Sequence, residues 1–353
     1  MVAPPEESNA VPAPQLSFSR TLDRELVHRR AVSEVFLTDS LRTAGDTVLV
    51  AAQLPRSHAY FLDTTDPLPH YGALLLTECC RQACTYVAHT AYGLPRDWVS
   101  LSAGTSLDLL DVPELRLGEG PAELTMSVRT EPERRSGRLR AARMTVDLHL
   151  GGARVGGTSS EGRYLSREEY ELLRKGSRTS PAPLSPVLDT LPGAAARQRV
   201  PAAWAGRRDP RNVLVADRSR TEDGVRVTLA VPGRHPTIFE HPLDHHPGMA
   251  LLDAAVQTAT LAVGLDRGGA TALRVRTLRA AFGSFAELDS DVTLTARLTG
   301  RGRPGPAGTV TALVTAEQDG RELAGLTLQA ALAEEDAPRG PAGGREAEEV
   351  AVR

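Results

Sequence analysis

The apolar segment 72–92 carries a narrow series of polar side chains at helical spacing. Residues three and four positions apart share one face of a helix. A carboxylate on that face can act as a general base, and a neighbouring guanidinium can orient it or bind a phosphate. Because buried charge is costly, we interpret the series as functional rather than as a buried ion-pair network. Its members are Glu78, Arg81, Gln82, Thr85 and His89.

The same spacing recurs in the second half of the chain. Asp253 and Gln257 repeat the carboxylate and the glutamine, whereas Val256 occupies the position of the arginine. Repetition of this pattern favours function over packing alone. We predict catalytic roles for Glu78 as the base, for Arg81 and for Asp253. Only the first series keeps its acid, arginine and glutamine, so we expect that site to matter more.

A glycine opens each of these apolar segments, Gly72 in the first and Gly248 in the second. The start of a helix offers free amide N–H groups and a partial positive charge. Placed at a thioester carbonyl, such a terminus would stabilise the developing oxyanion. The alternative is that both glycines serve turn geometry only. We include Gly72, Gly248 and the two glutamines among the predicted substrate-binding residues.

Loop residues upstream of the two segments also match. Arg56 and His58 in the first half correspond to Arg234 and His235 in the second. The planar guanidinium of arginine suits a phosphate dianion, so Arg56, Arg234 and Arg81 are candidates to bind one. The alternative for the two loop arginines is that they are solvated surface charges. We predict substrate-binding roles for His58 and His235.

Three histidines, His241, His245 and His246, crowd the loop before Gly248 together with Asp244. Their spacing is irregular and no cysteine accompanies them, so we predict no metal site. We predict instead a pocket-lining or acid–base role for His241 and His245. No cofactor is predicted. The remaining histidines are expected to be structural: His28, His70, His89 and His149.

Cys79, Cys80 and Cys84 are too few for a disulfide framework, which favours a reducing cytosol. Covalent catalysis by Cys79 is an alternative, but packing in the core is the favoured role. The chain has 41 basic and 44 acidic residues, a net charge of −3 that excludes a nucleic-acid or polybasic membrane footprint. Residues 1–14 do not resemble a signal peptide, and no apolar run is long enough to predict a transmembrane helix.

Proline, glycine and acidic residues divide the 353-residue chain. Segments 1–15 and 333–353 have the composition of disordered tails, the second of them acidic. The proline-rich stretch 176–206 reads as an interdomain linker. It separates an N-terminal unit, 16–175, from a C-terminal unit, 207–332.

The two units resemble each other at a nearly constant offset, which indicates a duplicated fold. In each unit short strands lead to one apolar helix and long alternating strands follow, which predicts an α+β unit with its helix packed on an antiparallel sheet. The offset is 178 between 34–39 and 212–217, 177 between His58 and His235, and 175 between Gln82 and Gln257.

A buried helix that opens with glycine and carries an acid with glutamine four positions later resembles the hotdog fold. Pro247-Gly248-x4-Asp253-x3-Gln257 resembles the helix motif of β-hydroxyacyl-ACP dehydratases. The chain is more similar to the A-factor synthase (AfsA-type) family of γ-butyrolactone biosynthesis, which are double-hotdog proteins. The similar stretches are 24–29, 31–39, 52–58, 77–82, 89–95 and 241–253.

This resemblance implies two tandem hotdog units packed as an internal pseudo-dimer, in a monomer or a homodimer. It implies an acyltransferase that joins a β-ketoacyl group, from a thioester of acyl carrier protein or CoA, to dihydroxyacetone phosphate. Arginine is expected at the position of Val256, and its loss puts the second site in doubt. The alternatives are a hotdog dehydratase or thioesterase in which His241 or His235 works with Asp253, and a non-catalytic acyl-binding or regulatory protein.

Overall fold

A computed structural model describes residues 15–43, 45–178, 180–191, 196–222, 224–299 and 309–333. In this part of the chain twelve strands form one continuous antiparallel sheet in the order β1-β2-β4-β5-β6-β3-β9-β12-β11-β10-β8-β7. The strands are β1 Leu37–Arg42, β2 Thr47–Leu54, β3 Val99–Leu109, β4 Ala122–Arg135, β5 Arg138–Leu150, β6 Ala153–Leu165, β7 Val215–Thr221, β8 Gly224–Leu229, β9 Leu273–Phe282, β10 Val292–Thr299, β11 Thr309–Gln318 and β12 Arg321–Leu332.

The sheet has an internal two-fold relation. Read from its two edges, the strand orders β1-β2-β4-β5-β6-β3 and β7-β8-β10-β11-β12-β9 are equivalent. The halves join where β3 pairs with β9, from Gly104 opposite Ala281 to Asp108 opposite Thr277. This arrangement confirms the predicted α+β fold of two tandem hotdog units packed as an internal pseudo-dimer.

Each half holds one long central helix, α1 Ala73–Tyr92 and α3 Gly248–Arg267. Both end at a glycine in the left-handed conformation, Gly93 with φ of 68° and Gly268 with φ of 78°, which stops the helix without a side-chain clash. Alternating strand residues pack on these helices; Leu124 on β4, for example, is fully buried. The two apolar helices therefore place their polar residues inside the fold.

Among the described residues, α3 is the one helix that is long and apolar enough to cross a membrane. However, 78% of its apolar stretch is buried inside the protein. A helix buried in this way is the core element of its half. This explains why it is apolar almost all round.

Helix α2, Arg167–Ser177, was not predicted from the sequence. Ser166 and Glu169 form a capping box at its start, a signal that the sequence does carry. Arg174 on α2 pairs with Asp244 and Glu287 of the second half. The helix therefore fastens the end of the first half to the second.

Within the predicted linker, short 3-10 helices lie at Ser185–Thr190 and Ala202–Ala205. The domain boundaries stay predictions. The predicted tails fall almost entirely outside the described residues, which exclude 1–14 and 334–353.

Candidate active site

Glu78 on α1 is fully buried and lies in a network of cationic and amide donors. Its Oε1 accepts hydrogen bonds from Nη2 of Arg29 at 2.7 Å, from Nη2 of Arg81 at 2.8 Å and from Nε2 of Gln82 at 2.8 Å. Its Oε2 accepts from Nε of Arg81 at 2.8 Å. The predicted acid–arginine–glutamine series is therefore brought together, with Arg29 as an additional member.

The second half of the chain completes this network. Nη1 of Arg29 donates to the carbonyl of Thr237 and to Oε2 of Glu240, each at 3.2 Å. Glu240 in turn accepts from the backbone N–H groups of Arg30 and Ala31. The Glu78 network thus spans the interface between the two halves.

The charge of Glu78 is strongly stabilised. Burial by itself would raise the pKa of this carboxyl, but Arg29 and Arg81 outweigh burial and lower the pKa to about 2. A carboxylate held between two guanidinium groups is a weak proton acceptor. The geometry therefore favours an electrostatic and structural role for Glu78 over the predicted role of base, which stays untested.

Two histidines that were expected to be structural lie beside this network. Nε2 of His28 and Nε2 of His89 are 2.9 Å apart, and Nδ1 of His89 is 2.8 Å from the carbonyl of Leu94. Burial, helped by Arg81, lowers the pKa of His28 to about 4. Burial also lowers the pKa of His241, which is a neighbour of Arg81 and Arg29. Of the loop histidines, His241 is the one that directly follows Glu240, a member of the Glu78 network, in the chain.

Asp253 on α3 is equally buried but is bound on one side only. Its Oδ2 accepts from the hydroxyl of Tyr60 at 2.5 Å, from Nη2 of Arg207 at 2.6 Å and from Nε2 of Gln257 at 3.1 Å. Its Oδ1 has no hydrogen-bond partner in the described structure. Nη1 of Arg207 also donates to the carbonyls of Tyr60 and Asp63. The first half of the chain thus closes the Asp253 network, as the second half closes that of Glu78.

A cavity of about 120 Å³ lies against Asp253. The start of α1 also lines this cavity, and its N-cap residue, Gly72, provides no side-chain hydrogen bond to cap the helix. Two arginines of β9, Arg274 and Arg276, line another wall. The other titratable residues of the lining are Asp63, Asp66, His70, Tyr71 and Arg207.

A small apolar pocket of about 10 Å³ continues from this cavity. Val256, Leu273 and Val275 line both spaces. The pocket lies between α3 and the sheet, and all its lining residues are apolar. The remaining ones are Ala259, Val263, Val310, Ala312, Leu328 and Ala330.

The predicted glutamines fix their helices to the neighbouring chain. Nε2 of Gln82 donates to the carbonyl of Glu34, and its Oε1 accepts from the N–H of Phe36. Gln257 makes the same contacts with Asn212 and Leu214. These side chains hold the carboxylates in place, and in the described structure neither is free to bind substrate through the atoms named.

The matched histidines shape two loops. Nδ1 of His58 accepts from the N–H groups of Tyr60 and Phe61, and Nδ1 of His235 accepts from those of Thr237 and Ile238 in the same manner. Arg56 and Arg234 are exposed, as in the alternative of solvated surface charges.

The other loop residues lie elsewhere. His245 pairs with Asp244, which also accepts from Tyr170 on α2. Gly248 packs against Phe282.

Sequence reasoning missed Arg29, Arg207 and Tyr60. The two arginines are separated by 178 positions, the offset of the adjacent repeated block, so the repeat carried a signal for them. Tyr60 has no such signal, because Thr237 occupies its equivalent position.

The fold and the paired networks define a double-hotdog protein with two composite sites, each built by a helix of one half and a loop of the other. The chain belongs to the A-factor biosynthesis hotdog domain family (AfsA), whose family model matches residues 12–166 and 189–333.

Curated relatives cover most of the chain. One from Streptomyces virginiae, 2-oxo-3-(phosphooxy)propyl 3-oxoalkanoate synthase, is 34% identical over 76% of this chain and 84% of its own length. A protein of the same name from Streptomyces griseus is 32% identical over 86% of this chain and 93% of its own length. Among solved structures, 12:0-ACP thioesterase from Umbellularia californica has a TM-score of 0.49 and 10% identity, covering 83% of this chain and 100% of that one.

Proposed function

We propose that this chain is an acyltransferase that joins a β-ketoacyl group from an acyl thioester to a hydroxyl of dihydroxyacetone phosphate. The product class is the one that the relatives' name describes, a phosphooxypropyl ester of a 3-oxoalkanoate. One observation carries the assignment of the site: Asp253, whose buried Oδ1 has no hydrogen-bond partner among the described residues, and the start of α1, which has no side-chain cap, line the same cavity. Acyl transfer needs a base and an oxyanion-stabilising group in one enclosed space.

The step follows from these two groups. Oδ1 of Asp253 takes the proton of the acceptor hydroxyl, and the oxygen of that hydroxyl attacks the thioester carbonyl. Amide N–H groups at the start of α1 stabilise the oxyanion that forms. Collapse of the intermediate breaks the C–S bond, and the departing thiolate takes up the proton from Asp253. No serine or cysteine nucleophile is needed.

We propose that the acyl chain extends from the cavity toward the apolar pocket, whose volume of about 10 Å³ must widen to receive it. Val256 lies at the junction of cavity and pocket, so a chain that enters beside Asp253 passes directly into apolar surroundings. Arginine at this position would place a charge at the entrance. The replacement that first put this site in doubt therefore suits an acyl substrate, because apolar surface is favourably buried against apolar groups.

Arg276 is the group on the cavity wall that best suits the acceptor phosphate. It pairs with Asp111, whose side chain is 86% exposed, so water can replace the guanidinium as partner of that carboxylate. Arg274 is held by Asp66, which lies deeper. A phosphate offers the fork of Arg276 a bidentate partner.

One chain supplies every member of both networks, so we propose that the monomer is the functional unit and that a homodimer is not required. The three cysteines are free, as is typical of a reducing compartment, and we propose a cytoplasmic location. The cavity is compatible with either acyl carrier protein or CoA as the carrier of the acyl group.

Mass spectrometry of the protein incubated with a β-ketoacyl thioester tests the proposal. We expect the phosphorylated ester only when dihydroxyacetone phosphate is present. Water loss from a β-hydroxyacyl thioester would identify a dehydratase, and free acid formed without acceptor would identify a thioesterase. Binding without turnover of any of these substrates would leave the acyl-binding alternative.

A further inference from the structure

Two differences between the halves meet at Asp253. At the position of Arg81 the second half has Val256, and at the position of Thr237 the first half has Tyr60. In the Glu78 network Arg81 donates to both carboxylate oxygens. In the Asp253 network the hydroxyl of Tyr60 donates to Oδ2 alone.

The replacement is possible because each loop crosses to the other half's helix. The carbonyl of Thr237 accepts from Arg29, and the carbonyl of Tyr60 accepts from Arg207 in the same way. Only the side chains differ. The hydroxyl of Thr237 is 3.5 Å from Oε1 of Glu34, whereas that of Tyr60 reaches the carboxylate.

We propose that Tyr60 is a positioning residue that takes the place of the missing arginine and leaves Oδ1 of Asp253, a residue that lines the cavity, without a hydrogen-bond donor. An arginine fork would bind both oxygens of a carboxylate, as Arg81 does with Glu78. A phenol has one proton and binds one oxygen. The inference rests on the proposed role of Asp253 and explains how the second site became a distinct site instead of a decayed copy.

The packing around Tyr60 holds its hydroxyl in place. Its ring meets Phe61 at 5.1 Å and His235 at 5.0 Å between centroids, and the guanidinium carbon of Arg207 lies 5.0 Å from the ring centroid. Burial, reinforced by Asp253, raises the pKa of Tyr60 well above its ordinary value, so the phenol stays protonated and donates.

The charged surroundings of Asp253 are otherwise mixed. Arg207 binds the same oxygen as Tyr60, and His235 lies behind the Tyr60 ring. The cavity adds Asp63, Asp66, His70, Tyr71, Arg274 and Arg276. Removal of the Tyr60 hydroxyl leaves all of these groups in place, so a change in turnover reports on the contact between Tyr60 and Asp253.

Tyr60→Phe keeps the ring and removes the donor. We expect kcat to fall by about 10- to 100-fold with KM little changed, because the carboxylate has lost a hydrogen bond to a charged group while the other residues of the cavity keep their contacts. Tyr86→Phe is the matched control, since its hydroxyl meets Ser40 outside both networks. A Tyr60→Phe variant with wild-type kcat, or one whose loss lies in KM alone, would overturn the inference.

A converse variant builds the other network at this site. Tyr60→Thr combined with Val256→Arg should restore an arginine beside Asp253, and this arginine should bind Oδ1. We expect the double variant to stay folded, as a cooperative unfolding transition would show, and to lose turnover. Near wild-type turnover in this folded variant also overturns the inference. Asp253→Asn separates the two claims: full activity in that variant defeats the proposed role of Asp253, whereas an inactive Asp253→Asn with a neutral Tyr60→Phe defeats only the role of Tyr60.

Discussion

Arg29 and Arg207 lie 178 positions apart and make matching contacts in the two halves. Each donates to the buried carboxylate of its own half's helix, at 2.7 Å to Glu78 and 2.6 Å to Asp253. Each also donates to backbone carbonyls of a loop from the opposite half. These arginines therefore hold the acids in place and join the halves to each other.

Removing either arginine should destabilise the protein. In Arg207→Met the carboxylate of Asp253 keeps its burial but loses its cation, and breaking a buried pair on one side costs about 3–5 kcal/mol. Urea unfolding followed by circular dichroism measures the loss. The exposed Arg234→Met is the control and should change stability by less than about 0.5 kcal/mol. An unchanged urea midpoint in Arg207→Met would show that the halves are held together without this network.

The duplication, the fold and the two helices could be predicted because each follows from a pattern that is visible along the chain. These patterns are the spacing of apolar residues, the glycine at the start of each helix and the nearly constant offset between the repeats. The hydrogen-bond donors around each oxygen of the two buried carboxylates could not be predicted in this way. Whether an oxygen of Glu78 or Asp253 is free depends on Arg29, Arg207 and Tyr60, which lie outside the helix motif and meet it only in three dimensions.

The histidines show the same limit. His58 and His235 match across the repeat, yet the match reflects a shared turn. His28, which was expected to be structural, contacts His89 of the polar series on α1, and Arg81 helps to lower the pKa of His28. Matching positions across the repeat thus identified residues that shape the fold in both halves. It was less able to identify residues that differ between the two sites.

A direct comparison of the two acids decides which is the base. We expect Asp253→Asn to lower kcat by about 10²–10⁴-fold, as for loss of a general base, because Oδ1 is the free oxygen. Glu78→Gln should mainly lower stability, since it leaves Arg29 and Arg81 without a counter-charge. Steady-state kinetics and urea unfolding on both variants give the two readouts.

The opposite outcome restores the prediction from sequence. If Glu78→Gln folds with wild-type stability and loses turnover while Asp253→Asn stays active, the Glu78 network is catalytic and the cavity at Asp253 serves another purpose.

Stability should fall as the solution becomes mildly acidic. Burial, with a contribution from His245, lowers the pKa of His246 from 6.5 to about 3. The unfolded chain therefore binds a proton that the folded chain does not between those values, so this contribution is complete above pH 6.5 and is lost toward pH 3. At pH 5 the loss amounts to about 2 kcal/mol, at about 1.4 kcal/mol for each pH unit below 6.5.

His246→Phe tests this pH dependence. Nδ1 of His246 is buried and has no hydrogen-bond partner among the described residues, and the ring packs near Phe239, so an apolar ring suits the position. The difference in unfolding free energy between pH 7 and pH 5 should shrink by about 2 kcal/mol relative to wild type. An equal difference in both proteins would mean that His246 titrates normally.

The last prediction concerns the acceptor phosphate. Wild-type enzyme should strongly prefer dihydroxyacetone phosphate to dihydroxyacetone, and Arg276→Ala should lose most of that preference through a higher KM for the phosphorylated acceptor, by about 10- to 100-fold for a lost hydrogen bond to a charged group. Arg81→Ala tests the earlier candidate, whose side chain is 33% exposed in the Glu78 network. The exposed Arg56→Ala is the control and should match wild type. If Arg81→Ala abolishes the preference and Arg276→Ala does not, the acceptor binds at the Glu78 network. Equal use of both acceptors by the wild type would remove the phosphate site and, with it, the case for this substrate.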